Sequence, residues 1–376
     1  MSWLSIFRYF YLLGTVNALF FSILIFSKPH RSLPDNILGS WLIVLSLQLF
    51  MPFLYLYDLS NYYEYAGYEV TFYSLHPVFL YFYIRAITGK KPVFKKSGYI
   101  IGTVVIITAS MLIFFLLPAS ERFKMIMGTE TIPLVYLLFV IPVIVFFLYF
   151  FIKSYRMLKN YKKNILHVYS YRENVDLLWL RRIFVFFYGI LVVTMFVDFV
   201  FYKLNISIAL GDYFYFVELT FFIFFLGYWG YRQGTIFNYQ NAENHKEPVS
   251  EKHKNNGQAQ QHYSSAKVTE LKTLMENQKP YLNPTLTIYE LASMIDMPPH
   301  QLSKMIRTEF HTNFFEFVNN YRIEAFKKLL LSEKYRDFTI LAIAFECGFN
   351  SKSAFNRIFK EETGYTPSEF KVLKTL

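Results

Sequence analysis

The 376-residue chain has a single cysteine, Cys347, which excludes an intrachain disulfide. On a helix of a cytosolic domain that thiol is expected to pack, not to sense redox state. The spacings that carry common catalytic chemistry are missing too. There is no H-E-x-x-H for zinc, no glycine-rich phosphate loop and no G-x-S-x-G nucleophile elbow. Histidines number only eight, and His245, His253 and His262 are too dispersed for a metal site. Neither an enzyme nor a cofactor or metal site is expected.

Apolar residues are abundant. They make up 54% of the chain, with 43 Phe and 31 Tyr, and the excess lies before residue 237. Seven apolar segments can be marked, at about 9–27, 37–57, 70–88, 99–117, 131–152, 183–203 and 213–231. Each approaches the ~20 residues a helix needs to cross a hydrocarbon core. Segments one, two, four and five carry no charge. Buried helices of a soluble bundle would keep a polar face, and these do not. Lys and Arg concentrate in loops 28–36, 89–98 and 153–182, the last with eight. By the positive-inside rule these loops are cytoplasmic, the N-terminus is outside and the C-terminus is inside. Residues 1–237 hold 20 basic and 11 acidic side chains, so +9 of the net +11 reflects topology and anionic headgroups.

Three polar residues fall in the outer parts of these segments: His76 in the third, Asp198 in the sixth and Glu218 in the seventh. Charge at such depth faces a cavity or a partner. Two readings stand: a structural pair locking helices together, with His76 against one carboxylate, or a ligand- or proton-sensing pocket open to the outside. Asn17 and Gln48 read as interhelical hydrogen-bonding groups. From 238 to 262 the composition turns polar, which reads as a flexible linker with a reach of roughly 25–30 Å. In 264–278, Val268, Leu271, Leu274 and Met275 recur at helical spacing. They mark the opening helix of the next domain, with a short dimerising helix as the other reading.

Near the C-terminus, Thr339 to Phe370 reads TILAIAFECGFNSKSAFNRIFKEETGYTPSEF. A helix with Ile343 and Ala344 inward runs into Cys347-Gly348-Phe349, a turn that favours a residue tolerating positive φ. Ser351 is an N-cap for a second helix whose Ala354, Phe355, Ile358 and Phe359 face a core. Its other face shows Lys352, Ser353, Asn356, Arg357 and Lys360, donors suited to base edges and phosphates. Gly364 closes the helix and Pro367 blocks continuation. The I-A-x-x-C-G-F-x-S-x-S-x-F-x-R-x-F-K core and the G-x-T-P-x-x-F close resemble the second helix-turn-helix of the AraC family of bacterial transcription regulators.

A second copy precedes it. Thr287-Ile288, Leu291-Ala292 and Ile295-Asp296 lie 52 residues before Thr339-Ile340, Ile343-Ala344 and Cys347-Gly348. After the turn the offset is 53, as from Lys304 to Arg357 and from Phe317 to Phe370. The first recognition helix is placed at about 299–310, with His300, Gln301, Ser303 and Lys304 as its DNA-facing residues. Phe314 to Ser332 resembles the family's long connecting helix, which spaces the two readers for successive major grooves. His311 stands at the Gly364 position and must adopt a left-handed conformation, or the helix ends differently. Residues 263–376 carry 15 basic and 13 acidic side chains, so DNA contact must come from a local basic face. A helical domain binding protein alone is the bland alternative.

The sequence therefore predicts an all-α chain: a seven-helix transmembrane domain (1–237), a linker (238–262) and an AraC-type DNA-binding domain (263–376). The expected function is a membrane-bound transcriptional regulator in the bacterial cytoplasmic membrane. The alternative is a membrane transporter or enzyme with an appended regulatory domain. Expected partners are promoter DNA, the lipid bilayer, a signal ligand, RNA polymerase and a second copy of the chain.

Overall fold

The computed structural model describes residues 3–55, 69–88, 102, 134–172, 175–204, 209–243 and 265–375. Among these, regular structure is helical, apart from one isolated antiparallel bridge between Tyr169 and Thr287. The chain divides into two compact units. One comprises Met1–Lys159 with Leu177–Glu243, the other Asn160–Asp176 with Asn244–Leu376.

The first unit contains α1 (Trp3–Phe26), α2 (Leu33–Tyr55), α3 (Glu69–Ile87), the start of α4 (Leu134–Val168), α5 (Leu178–Lys203) and α6 (Ala209–Glu243). The N-terminus of α2 is held by Asp35, which accepts from the Ser32 N–H at 2.9 Å and from Lys28 at 2.7 Å. An acid there satisfies an orphan amide and complements the helix dipole. Helix α1 packs on α2 and α6, while α3 packs on α2 and α5 on α6. Small residues let the backbones approach: at Gly227 the Phe21 ring fills the space a Cβ would need. Trp41, fully buried, gathers Phe79, Phe187 and Phe222 around it.

The outward face of this unit is apolar as well. Val192 and Phe196 on α5 are 67% and 65% exposed, and Ile23, Val185, Phe199 and Phe225 are exposed alongside. Among the described residues, four helical stretches are long and apolar enough to cross a membrane: Ile6–Phe26, Leu33–Leu54, Leu178–Phe201 and Phe214–Arg232. They coincide with four of the seven segments marked in the sequence. The third segment forms α3, whose apolar part, Leu75–Ile87, is shorter. The fifth opens α4, and all but one residue of the fourth lies outside the described residues. Helix α6 continues to Glu243, six residues into the stretch read as linker. Gln240, Ala242 and Glu243 are good helix formers, and no Pro or Gly interrupts before Pro248.

In the second unit follow α7 (Ser265–Asn277), a 3₁₀ turn at Pro280–Leu282, α8 (Ile288–Met294), α9 (Pro299–Glu309) and α10 (Phe314–Leu330). A second 3₁₀ turn at Glu333–Tyr335 leads to α11 (Ile340–Glu346), α12 (Lys352–Thr363) and α13 (Pro367–Thr375). Two cores form on the faces of α10. Phe314, Phe317 and Val318 join α7, α8 and α9 through Leu271, Met275, Leu291, Leu302 and Ile306. Phe315, Ile323, Phe326 and Leu330 join α11 and α12 through Ile343, Ala344, Phe355 and Phe359. Leu271, Leu274 and Met275 are buried in the first core, so α7 packs as part of this unit.

Candidate nucleic-acid interface

Each helix-turn-helix is built from capped short helices. In the first, the Thr287 hydroxyl accepts from the Glu290 N–H at 3.3 Å, and the Glu290 carboxylate accepts from the Thr287 N–H at 2.7 Å. This reciprocal pair fixes where α8 begins. The turn after it closes through the Met297 N–H donating to the Ala292 carbonyl at 3.0 Å, with Asp296 at φ 47°. Helix α9 then starts with Pro299 at its first position, where the missing N–H costs nothing. In the second unit Thr339 caps α11, and the Phe349 N–H donates to the Ala344 carbonyl at 3.2 Å. Gly348 carries φ 87°, and a Cβ there would run into the Tyr281 carbonyl oxygen. Ser351 caps α12 by accepting from the Ala354 N–H at 3.1 Å. Gly364, at φ 79°, ends that helix, and His311 takes the corresponding left-handed position after α9 at φ 54°.

The two recognition helices, α9 and α12, are strongly two-faced. Leu302, Met305 and Ile306 are buried on α9, as are Ala354, Phe355, Ile358 and Phe359 on α12. His300, Gln301 and Lys304 are exposed on α9, with Ser303 half-buried. Lys352, Ser353, Asn356 and Lys360 are exposed on α12, and Arg357 is partly exposed. Unbound, Arg357 is held along its own helix: Nη1 donates to both Glu361 carboxylate oxygens, at 3.1 and 2.9 Å. A surface pair four residues apart is a weak restraint, and a guanine edge or phosphate can replace the carboxylate. Arg307, exposed in the last turn of α9, extends the basic face. The sequence reading passed it over, although the 53-residue offset aligns it with Lys360.

Cys347 is fully buried, and burial, aided by the Glu346 charge, pushes its thiol up to about 12. Such a thiol packs and does not react. No group of three or more His, Cys, Asp and Glu able to hold a metal ion gathers among the described residues.

The three polar residues of the apolar segments are placed differently from one another. His76 is buried, its Nδ1 accepting from Trp41 Nε1 at 3.0 Å. Tryptophan can only donate, so Nδ1 is unprotonated and Nε2–H faces the Gln48 amide oxygen. Gln48 in turn reaches the Tyr215 hydroxyl at 3.5 Å. The hydrogen-bond partners of His76 are thus an indole and an amide, not a carboxylate. Glu218 is half-buried, and its Oε2 has no hydrogen-bond partner among the described residues. Asp198 lies on α5, and its side chain is outside what the structure describes. Asn17, read as an interhelical group, donates instead to the Leu13 carbonyl one turn back, at 2.7 Å. Side chains with this reach satisfy themselves locally when no partner lies opposite.

Residues 291–372 match a family described as a helix-turn-helix domain. Over 92 residues the chain is 35% identical to the uncharacterized transcriptional regulatory protein YesN of Bacillus subtilis, covering 24% of each chain. Over 86 residues it is 35% identical to an uncharacterized HTH-type transcriptional regulator of Staphylococcus aureus, covering 23% of this chain and 11% of that one. The HTH-type transcriptional regulator CdhR of Pseudomonas aeruginosa is 28% identical over 89 residues, 24% of this chain and 26% of its own. The chain thus spans about a quarter or less of the length of these curated relatives. No solved structure matches it. What the cores, the turns and the matched residues define together is a C-terminal helix-turn-helix domain of the AraC type.

Proposed function

We propose that the chain is a membrane-embedded, sequence-specific transcriptional regulator that couples a signal from the envelope or beyond to promoter binding. The observation that carries this reading is the pair of helix-turn-helix units on one helix, each presenting an exposed basic face. Neither unit contains a constellation for bond-making chemistry, and the proposed activity is regulation, not catalysis. Arg357 is the leading base reader, with His300, Gln301, Ser303, Lys304, Lys352, Ser353, Asn356 and Lys360 positioning or reading around it. Arg307 adds a phosphate contact.

Support for the membrane comes from four long apolar helices whose outer faces carry Val, Phe and Ile that water would reject. The proposed topology is the seven-span one, N-terminus outside and the DNA-binding domain in the cytoplasm, with 1–237 as membrane domain and 263–376 as reader. Asp198 and Glu218 are proposed as sensing residues because intramembrane carboxylates need a cavity or partner, and one Glu218 oxygen lacks a hydrogen bond among the described residues. His76 joins them through its relay to Gln48 and Tyr215. The partners of this reading are promoter DNA, the bilayer, a signal ligand, RNA polymerase and a second copy of the chain.

Immunoprecipitation of chromatin with a tagged full-length chain tests the proposal. Discrete genomic sites are expected, lost in Arg357→Ala at unchanged membrane level. A wild-type chain enriching no sites would refute it.

A further inference from the structure

Asn160–Asp176 follows the apolar part of α4 in the sequence and precedes α5, yet it belongs to the helix-turn-helix unit. The segment is built into that unit at both cores. Val168 packs against the core of the first helix-turn-helix and Leu166 against that of the second. Tyr169 forms a bridge to Thr287, the N-cap of α8. The Arg172 guanidinium stands 4.5 Å from the centre of the Phe315 ring at the start of α10.

Ser170 is the centre of this seam and is 1% exposed. Its N–H and its hydroxyl both donate to the Leu286 carbonyl, at 3.2 and 2.7 Å. Its own carbonyl accepts from Asn319 Nδ2 at 3.1 Å and from Arg322 Nη1 at 3.0 Å. Its hydroxyl oxygen also accepts from Arg322 Nη2 at 3.1 Å. Arg322, on α10, is 2% exposed, so its guanidinium depends on acceptors supplied by the protein. It donates to the Tyr281 and Asn283 carbonyls, to Asn319 Oδ1 and to Ser170. Removing the segment would strip both terminal nitrogens of one acceptor each, and a buried guanidinium left short of acceptors is costly.

The same contacts bring the segment to the DNA-reading helices. His167 lies within electrostatic range of Arg307 on α9, and Arg172 within that of Arg357 and Glu361 on α12. An incidental loop contact would be solvated and confined to one helix, whereas this one is buried and spans both units.

We propose that Asn160–Asp176 is an intramolecular clamp, seated between the two helix-turn-helix cores, that fixes the spacing of the two recognition helices. Helix α4, whose last turns form the start of the clamp, and α5, which follows it in sequence, then have a direct handle on that spacing, and the linker 238–262 need not transmit force. That consequence rests on the regulatory reading above; the clamp itself is a matter of geometry.

The test uses the full chain in lipid nanodiscs with nitroxide labels at Lys304→Cys and Lys360→Cys, in a Cys347→Ala background. Pulsed electron resonance then reports the distance between the readers. A single narrow distribution is expected, and Ser170→Val should add a broad second population. An unchanged distribution in Ser170→Val would overturn the clamp. Should that variant fail to fold, a separate Tyr169→Cys/Thr287→Cys chain in native membranes decides. It should form an intrachain disulfide in high yield on mild oxidation, and failure to form one would overturn the proposal. If the wild-type chain enriches no genomic site while both readouts hold, the regulatory reading falls and the clamp stands.

Discussion

The two helix-turn-helix units solve one backbone problem with different residues. Both turns need a left-handed residue, and both close with the same five-residue-back hydrogen bond, Met297 to Ala292 and Phe349 to Ala344. The second unit supplies Gly348 and then Gly364, whereas the first supplies Asp296 and His311. Conformation alone does not explain the difference, because Asp and His tolerate φ near 50° at modest cost. Surroundings do. Asp296 is exposed, so its side chain projects freely. Gly348 is pressed against the Tyr281 and Leu282 carbonyls of the 3₁₀ turn that leads into the first unit. Packing between the units, more than torsion, restricts that position to glycine.

Exchanging the residues should break this symmetry. Gly348→Asp adds a side chain where backbone oxygens already sit, and should cost about 3 kcal/mol, from overpacking and the left-handed penalty together. Protease protection of the C-terminal unit in the full chain would report the loss, and unchanged protection would show that the turn can move. Next in size is the DNA-facing contrast between the readers. Arg357→Ala should weaken specific binding by about 1–3 kcal/mol and relax one base position. Lys304→Ala, at the equivalent place in the first unit, should weaken binding more evenly across sequences and lower the salt slope. A shared phenotype, measured by competition against mutated sites, would mean that both read in the same way.

Smaller effects sharpen the comparison. His311→Gly should stabilise the first unit by about 0.5–1 kcal/mol, since glycine occupies the left-handed region without strain. Hydrogen exchange across α9 would slow if so, and a faster rate would assign His311 a contact of its own. The smallest effect concerns pH. Burial, then the charge of Arg307, lowers the pKa of His167 from 6.5, with Glu316 opposing. The folded chain therefore binds this proton less readily than the unfolded chain does. Stability of the C-terminal unit should be at its fullest above pH 6.5 and decline as pH falls from there toward the lowered folded value. His167→Gln should flatten that slope, and an unaltered slope would place the titration elsewhere.

Much of the C-terminal unit is legible because its signals are local. Ser351, Gly364 and the buried set Ala354, Phe355, Ile358 and Phe359 each announce themselves within a dozen residues. The left-handed His311 follows from the repeat offset. What could not be read was long-range. Nothing in the basic stretch 153–182 distinguishes Ser170 from any loop serine, because its partners Leu286, Asn319 and Arg322 lie more than a hundred residues away. The same holds for His76. Apolar periodicity marks its helix, but only packing of α2 against α3 brings it Trp41 and Gln48 as partners instead of a carboxylate.

The acceptors of Arg322 carry an order of events within them. Two, Tyr281 and Asn283, precede it by 41 and 39 residues, while Ser170 precedes it by 152. Closing the longer loop through a loose chain costs about 1 kcal/mol more in entropy than closing the shorter. The local acceptors should therefore engage first and the Ser170 contacts last, once α5 and α6 have formed and shortened the path between. By the same logic the seam is the first place to open in the finished molecule. Amide exchange at Ser170 should outpace that of α10 while both cores remain closed.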